Sequence, residues 1–182
     1  KKKIKKSLLK KKNFKFIEKN ITFAKFPDKD LNLDLKNIRF AKYKDKKFVL
    51  DIAENTLSKS RFYTDKKIKK KLAKKIKRNW ILNFFKKKRA DYLIVATWKK
   101  KVAGFLSIIK SKKNYIVDLI YVYKDYQGLG LGSKMIKFCE NFVVKDNKSL
   151  IYVSTQVENK KFYIRNRFII KEIKYVYHQN GS

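Results

Sequence analysis

Three of the five glycines in this 182-residue chain fall within five positions, Gly128–Gly132. They follow a strongly apolar run, Tyr115–Tyr123, and open a segment whose Met135, Cys139, Phe142 and Val143 share one helical face. A strand, a tight glycine turn and a helix are thereby dictated in that order. Glycine adopts positive φ and lets other groups approach the backbone closely. The first-turn amides of a helix have no internal acceptor, and the helix dipole adds positive potential there. The loop Gln127-Gly128-Leu129-Gly130-Leu131-Gly132, continued by Ser133, therefore reads as a phosphate cradle. A plain strand-to-helix turn seldom needs three glycines. The dinucleotide fingerprint GxGxxG fails because Ser133 occupies its third glycine slot. The nucleotide-triphosphate loop GxxxxGK[ST] fails at the same residue, and both motifs expect a parallel sheet.

The surrounding strands predict something else. Asp91–Trp98, Val102–Ile109 and Tyr115–Tyr123 are separated by short polar links, so they should pair as antiparallel neighbours. Leu150–Thr155 reads as a further strand, Asn159–Arg165 as a short helix and Phe168–His178 as one or two closing strands. Upstream, Ile68, Leu72, Ile76, Trp80 and Phe84 recur every fourth residue among lysines, which predicts an amphipathic helix, with Thr64-Asp65 as its cap. A strand at 37–43 and a helix ending near Leu57 precede it. Residues 13–26 alternate in two short runs and read as a strand pair or small subdomain. The fold class expected is mixed α/β: a largely antiparallel central sheet with flanking helices and a single strand–helix–strand crossover. The chain divides into an N-terminal subdomain or extension at 1–35 and a main domain at 36–182.

Composition restricts the function classes. The net charge is +35, but of 50 basic residues only 6 are Arg and 44 are Lys, spread over almost every segment. Readers of nucleic acid draw heavily on the planar fork of Arg. The charge is read as solvated lysine surface, and nucleic acid as an unlikely partner. One cysteine, Cys139, excludes an internal disulfide and is read as core filling on an apolar helix face; a cytoplasmic location is expected. No run approaches the ~20 apolar residues of a membrane span, so no membrane partner is expected. No His/Cys/carboxylate spacing suggests a metal site, and none is expected.

What the loop does match is Gln-x-x-Gly-x-Gly, at Gln127, Gly130 and Gly132. This is similar to the pyrophosphate loop of the GNAT acetyltransferase superfamily. IYVYKDYQGLGLGSKMI resembles that family's fourth strand, loop and third helix, LIYVSTQ its fifth strand, and KKVAGFLSI its third. Asn159 with FYIRNRF (162–168) resembles its "N…LYxKxGF" segment, although Asn159 precedes Tyr163 by four residues instead of the usual seven, and Arg167 replaces a glycine. SRFYTD, RNWI, ADYLIVA, VSTQ and YVYH further resemble the dTDP-fucosamine acetyltransferases, which acetylate a nucleotide-linked 4-amino-4,6-dideoxy sugar.

The resemblance implies a sheet split into a V that holds acetyl-CoA as cosubstrate. Backbone groups of Ile120, Tyr121 and Val122 would pair with the pantetheine arm. Amides of residues 127–133 would bind the pyrophosphate, with Asn159 nearby. A neutral amine would attack the thioester directly, Val122 N–H would steady the oxyanion, and Tyr163 would protonate the thiolate. Asp118, Glu158 and His178 are candidate bases; Arg61, Gln156 and His178 are candidate contacts to an anionic nucleotide amino sugar. A homodimer is possible within this resemblance. The competing functions are acetylation of a protein N-terminus or lysine, acetylation of a polyamine or antibiotic amine, and, from another class, a basic nucleic-acid-binding module.

Overall fold

The computed structural model describes residues 12–28, 34–55, 61–145 and 150–179. Among them, seven strands form one sheet: β1 (Phe14–Lys25), β2 (Ile38–Phe40), β3 (Tyr92–Trp98), β4 (Lys101–Lys110), β5 (Asn114–Val122), β6 (Leu150–Gln156) and β7 (Ile169–Gln179). Their spatial order is β2-β3-β4-β5-β6-β1-β7. The short polar links make β3, β4 and β5 an antiparallel meander, as the sequence predicts. The crossover through helix α3 (Leu131–Val143) sets β6 parallel to β5, and every other pairing is antiparallel. The architecture is therefore mixed α/β with a mostly antiparallel sheet.

Residues 14–25 form one long strand, not a pair. The break in alternation that suggests two runs is absorbed by a bulge between Phe16 and Glu18 in the β1–β7 ladder. β1 lies between β6 and β7, although 124 residues separate its end from the start of β6. The closing segment is likewise one strand, β7.

Each face of the sheet has its own core. On one, Ile94, Leu106, Ile108, Val117, Ile151 and Val153 pack under α3, whose Met135, Ile136, Cys139 and Val143 are buried, and under helix α4 (Lys160–Arg165) through Tyr163. On the other, Leu93, Val95, Phe105 and Leu119 meet helices α1 (Lys46–Asn55) and α2 (Lys70–Phe85). The four-residue ladder expected on α2 is only partly right. Four residues advance 400° around a helix, so such a ladder rotates by about 40° each step. Leu72 is accordingly 54% exposed, while Ala73 and Ile81 are the fully buried residues. A one-turn helix, Arg61–Thr64, precedes α2, and Asp65 accepts the Lys67 amide instead of capping α2 itself, which starts at Lys70.

Two irregularities position the site. In the β4–β5 ladder, Ser107 faces Leu119 but Ile108 faces Val117, leaving Asp118 as an extra residue. That insertion reverses the alternation: Tyr115 and Val117 lie in the α3-side core, whereas Leu119 and Tyr121 join the other. Second, the parallel β5–β6 pairing stops at Val117–Val153. Beyond it both strands continue, β5 through Val122 and β6 through Gln156, without pairing. The sheet opens there into a V. An ion network fastens α3 to the end of β1: the buried Lys25 Nζ lies 2.7 Å from Glu140 Oε1, and the partly exposed Lys137 Nζ lies 2.7 Å from Asp28 Oδ2.

Candidate functional site

The glycine loop stands at the mouth of the V. Gly128 and Gly130 hold φ of +83° and +73°, which L side chains rarely adopt, and a Cβ at either would meet nothing within 4 Å. Conformation, not crowding, requires glycine there. Gly130 starts α3 with no side-chain cap, and Lys134 N–H closes the first helical turn on Gly130 O at 3.0 Å. The amides of Leu131, Gly132 and Ser133 precede that bond and have no intrahelical acceptor. The Leu131 side chain is buried and anchors the loop, while Leu129 is exposed. Gly132 is tight for another reason: a Cβ would sit 3.1 Å from the Phe162 ring and 3.8 Å from Val122 Cγ2. The loop, β5 and α4 therefore meet at Gly132. Gln127 does not face the loop's open side; its Nε2 donates to Val122 O at 2.9 Å, tying the loop back to β5.

The orientation of the β5 amides follows from two bonds. Tyr123 N–H donates to Ala103 O at 2.8 Å and Leu119 N–H to Ser107 Oγ at 3.1 Å, both toward β4. Backbone groups alternate along an antiparallel edge, so Tyr121 also faces β4 whereas Ile120 and Val122 face the V. Of the three β5 residues expected to pair with a ligand arm, two are directed there and Tyr121 is not. Behind them Gly104 lies against β5: a Cβ would fall 2.7 Å from Tyr121 O and 3.2 Å from Val122 Cα.

Tyr163 is 2% exposed, stacked on Phe23 at 5.3 Å and edge-on to Phe162 and Phe168. Burial raises its phenol pKa above the ordinary tyrosine range, so it releases its proton less readily than an exposed phenol. Asn159 is exposed beside α4, its Nδ2 donating to Thr155 Oγ1 at 2.8 Å. Cys139 is wholly buried, and desolvation raises its thiol pKa, as befits core filling.

The candidate bases separate. Asp118 is held in a two-pronged pair with Arg89, at 2.9 and 2.7 Å, and the Arg89 guanidinium lies over the Trp80 ring at 4.2 Å. Glu158 is exposed. His178 Nδ1 lies 2.5 Å from Asp65 Oδ2 at the far end of β7; this contact, then the Lys67 amide, lowers the Asp65 pKa. Gln156 Nε2 donates to Glu18 Oε2 at 2.7 Å. The Arg61 side chain lies outside the described residues.

Sequence reasoning missed the partners: Arg89 and Trp80 for Asp118, Asp65 for His178, Glu18 for Gln156 and Phe162 for Gly132. One signal was available, since Asp118 is the only charged residue within the apolar run Tyr115–Tyr123. A lone acid in such a strand marks either a bulge or a buried pair, and here it is both. Among the described residues, no group of three or more His, Cys, Asp or Glu could hold a metal ion, and no helix is long and apolar enough to cross a membrane.

Comparison with known proteins agrees with this geometry. A family model described as an acetyltransferase (GNAT) domain matches residues 59–176. Among solved structures, a GCN5-related N-acetyltransferase from Sphaerobacter thermophilus aligns at TM-score 0.66 and 11% identity, over 94% of this chain and 54% of that one. A conserved protein of unknown function from Staphylococcus epidermidis aligns at 0.61 and 15%, over 96% and 67%. PaiA N-acetyltransferase from Thermoplasma acidophilum, solved with coenzyme A, aligns at 0.56 and 15%, over 79% and 98%. The chain thus spans little more than half the length of the Sphaerobacter protein. No curated protein matches the sequence. With the family model covering most of the chain, and a V-shaped split and glycine loop in place, the protein belongs to the GNAT family of acetyltransferases.

Proposed function

We propose that this protein transfers the acetyl group of acetyl-CoA to a primary amine, by direct attack within a ternary complex. The preferred acceptor is the 4-amino group of a nucleotide-linked 4-amino-4,6-dideoxy sugar. The observation that carries the reading is the pairing of two sets of unspent amides. Ile120 and Val122 direct theirs into the V, and Leu131, Gly132 and Ser133 present theirs at the glycine loop. The first set suits the amide groups of a pantetheine arm, the second a diphosphate.

The amine nitrogen forms a bond to the thioester carbonyl carbon, the carbon–sulfur bond breaks, and the amine's proton leaves through solvent. Val122 N–H is suited to the developing oxyanion, a contact worth about 3 kcal/mol in comparable sites. Tyr163, protonated at neutral pH as an ordinary phenol is, stands at the position that the resemblance gives to the acid protonating the departing thiolate. The acceptor identity rests on the short matches to sugar-nucleotide acetyltransferases and on charge, since a +35 surface favours an anionic ligand over a polyamine. Calorimetry with acetyl-CoA, followed by thiol-release assays on dTDP-4-amino-4,6-dideoxygalactose, D-glucosamine, spermidine and a short peptide, tests both parts. Absence of heat with acetyl-CoA removes the first, and turnover only with the peptide or spermidine removes the second.

A further inference from the structure

The sheet face opposite α3 is divided in two. Over β3, β4 and β5 it is apolar and covered by α1 and α2. Over β6, β1 and β7 it changes character. Ile21, Phe23 and Val153 point to the α3 side, so their neighbours Asn20, Thr22, Ser154 and Gln156 point to this one. The cross-strand register sets Thr22 opposite Ser154 and Asn20 opposite Gln156. Ser154 directly follows Val153, the last residue of β6 paired to β5. The polar strip therefore begins at the vertex of the V.

Two atoms of that strip are anomalous. Asn20 Oδ1 and Thr22 Oγ1 are shielded from solvent and have no hydrogen-bond partner, though both residues are only half-buried. An unpaired buried polar group costs about 1–3 kcal/mol, and folding alone gives no reason to keep it. The carboxylates beside them are already engaged: Glu18 with the Gln156 amide at 2.7 Å and Glu172 with Lys174 at 3.1 Å. What the strip leaves unspent is neutral hydrogen-bonding capacity, an amide oxygen and a hydroxyl two residues apart on one strand, thus about 7 Å apart. Free carboxylates would suit a polyamine; two neutral groups at this spacing suit hydroxyls on a sugar ring.

We infer that Asn20 and Thr22 form the acceptor floor, receiving hydroxyl groups of a hydroxylated amine whose nitrogen reaches the V. The inference rests on the acetyltransferase reading and deepens it. Both atoms are shielded, so a ligand reaches them only when a neighbouring side chain shifts; Gln156, opposite Asn20 in the ladder and tied to Glu18, is the neighbour that would have to give.

The test uses Thr22→Val and Asn20→Leu, which keep shape and remove the unpaired atoms. Both variants are expected to fold and to melt about 2–4 °C higher than wild type, and to keep acetyl-CoA affinity within twofold by calorimetry. KM for dTDP-4-amino-4,6-dideoxygalactose or D-glucosamine should rise roughly tenfold in each, the loss of one hydrogen bond. Unchanged KM in both variants overturns the inference, as does turnover confined to spermidine and the peptide, or no turnover of any of the four amines by wild type that binds acetyl-CoA. Loss of acetyl-CoA affinity in the variants overturns it too. Absence of acetyl-CoA binding by wild type is the separate failure of the underlying reading.

Discussion

Tyr163 combines a buried ring, a stacking partner in Phe23 and a place on α4 directly after Phe162, the residue that meets Gly132 of the loop. Tyr163→Phe keeps the stacking and removes only the hydroxyl, so kcat should fall by about 10²-fold while KM for acetyl-CoA holds. Steady-state thiol release checks this, and a kcat within twofold of wild type removes the phenol from the mechanism. The pH sign is fixed as well. Because burial raises the phenol pKa, the acid form persists through the ordinary tyrosine range, and kcat should show no alkaline loss from this group below pH ~10. The loop glycines separate by cause. Gly130→Ala must adopt φ of +73°, at a cost of about 1–2 kcal/mol, and should weaken acetyl-CoA binding in calorimetry by about tenfold. Gly132→Ala has no such backbone penalty but presses on Phe162 at 3.1 Å, next to Tyr163, so its signature should be kcat instead of affinity.

At the level of elements, α3 is only as well placed as its fastening to β1. Lys25→Met leaves the fully buried Glu140 with no partner for Oε1 and only Lys137 Nζ, at 3.4 Å, and the Asp28 N–H, at 3.3 Å, on Oε2, and should cost about 3–5 kcal/mol in urea denaturation. The same network predicts an acid response. The Lys137 hydrogen bond, with help from Lys25, lowers the Asp28 pKa from 3.8 to about 2. Its contribution to stability is complete above pH 3.8 and is lost as pH falls toward 2, which acid titration of the wild type against Asp28→Asn should resolve. These contacts also explain what a sequence can and cannot disclose. The glycine loop is legible because positive φ and a bare helix start are local chemistry. The meander is legible because short links leave one pairing. β1 is not: Asn20 meets Gln156 through a register that no local pattern encodes. The lone Asp118 signals an irregularity in β5, but its effect, turning Ile120 and Val122 toward the V, is not legible, because it depends on where β4 lies.

For the whole molecule, charge governs encounter before chemistry begins. If the acceptor carries a diphosphate, kcat/KM should decline between 10 and 150 mM salt, as the Debye length contracts from about 30 to 8 Å, while a neutral amino sugar shows little change. Equal salt dependence for both would place the lysine surface outside catalysis. A second global property is the spacing of the sheet around the V. One arm of it, β5, rests against Gly104, where even a methyl group would stand 2.7 Å from the Tyr121 carbonyl. Enlarging that position thus drives the arm carrying Ile120 and Val122 into the gap from behind. A residue that meets neither reactant consequently acts as the gauge of the aperture, and a mutational scan read by activity alone would mistake it for part of the reaction centre.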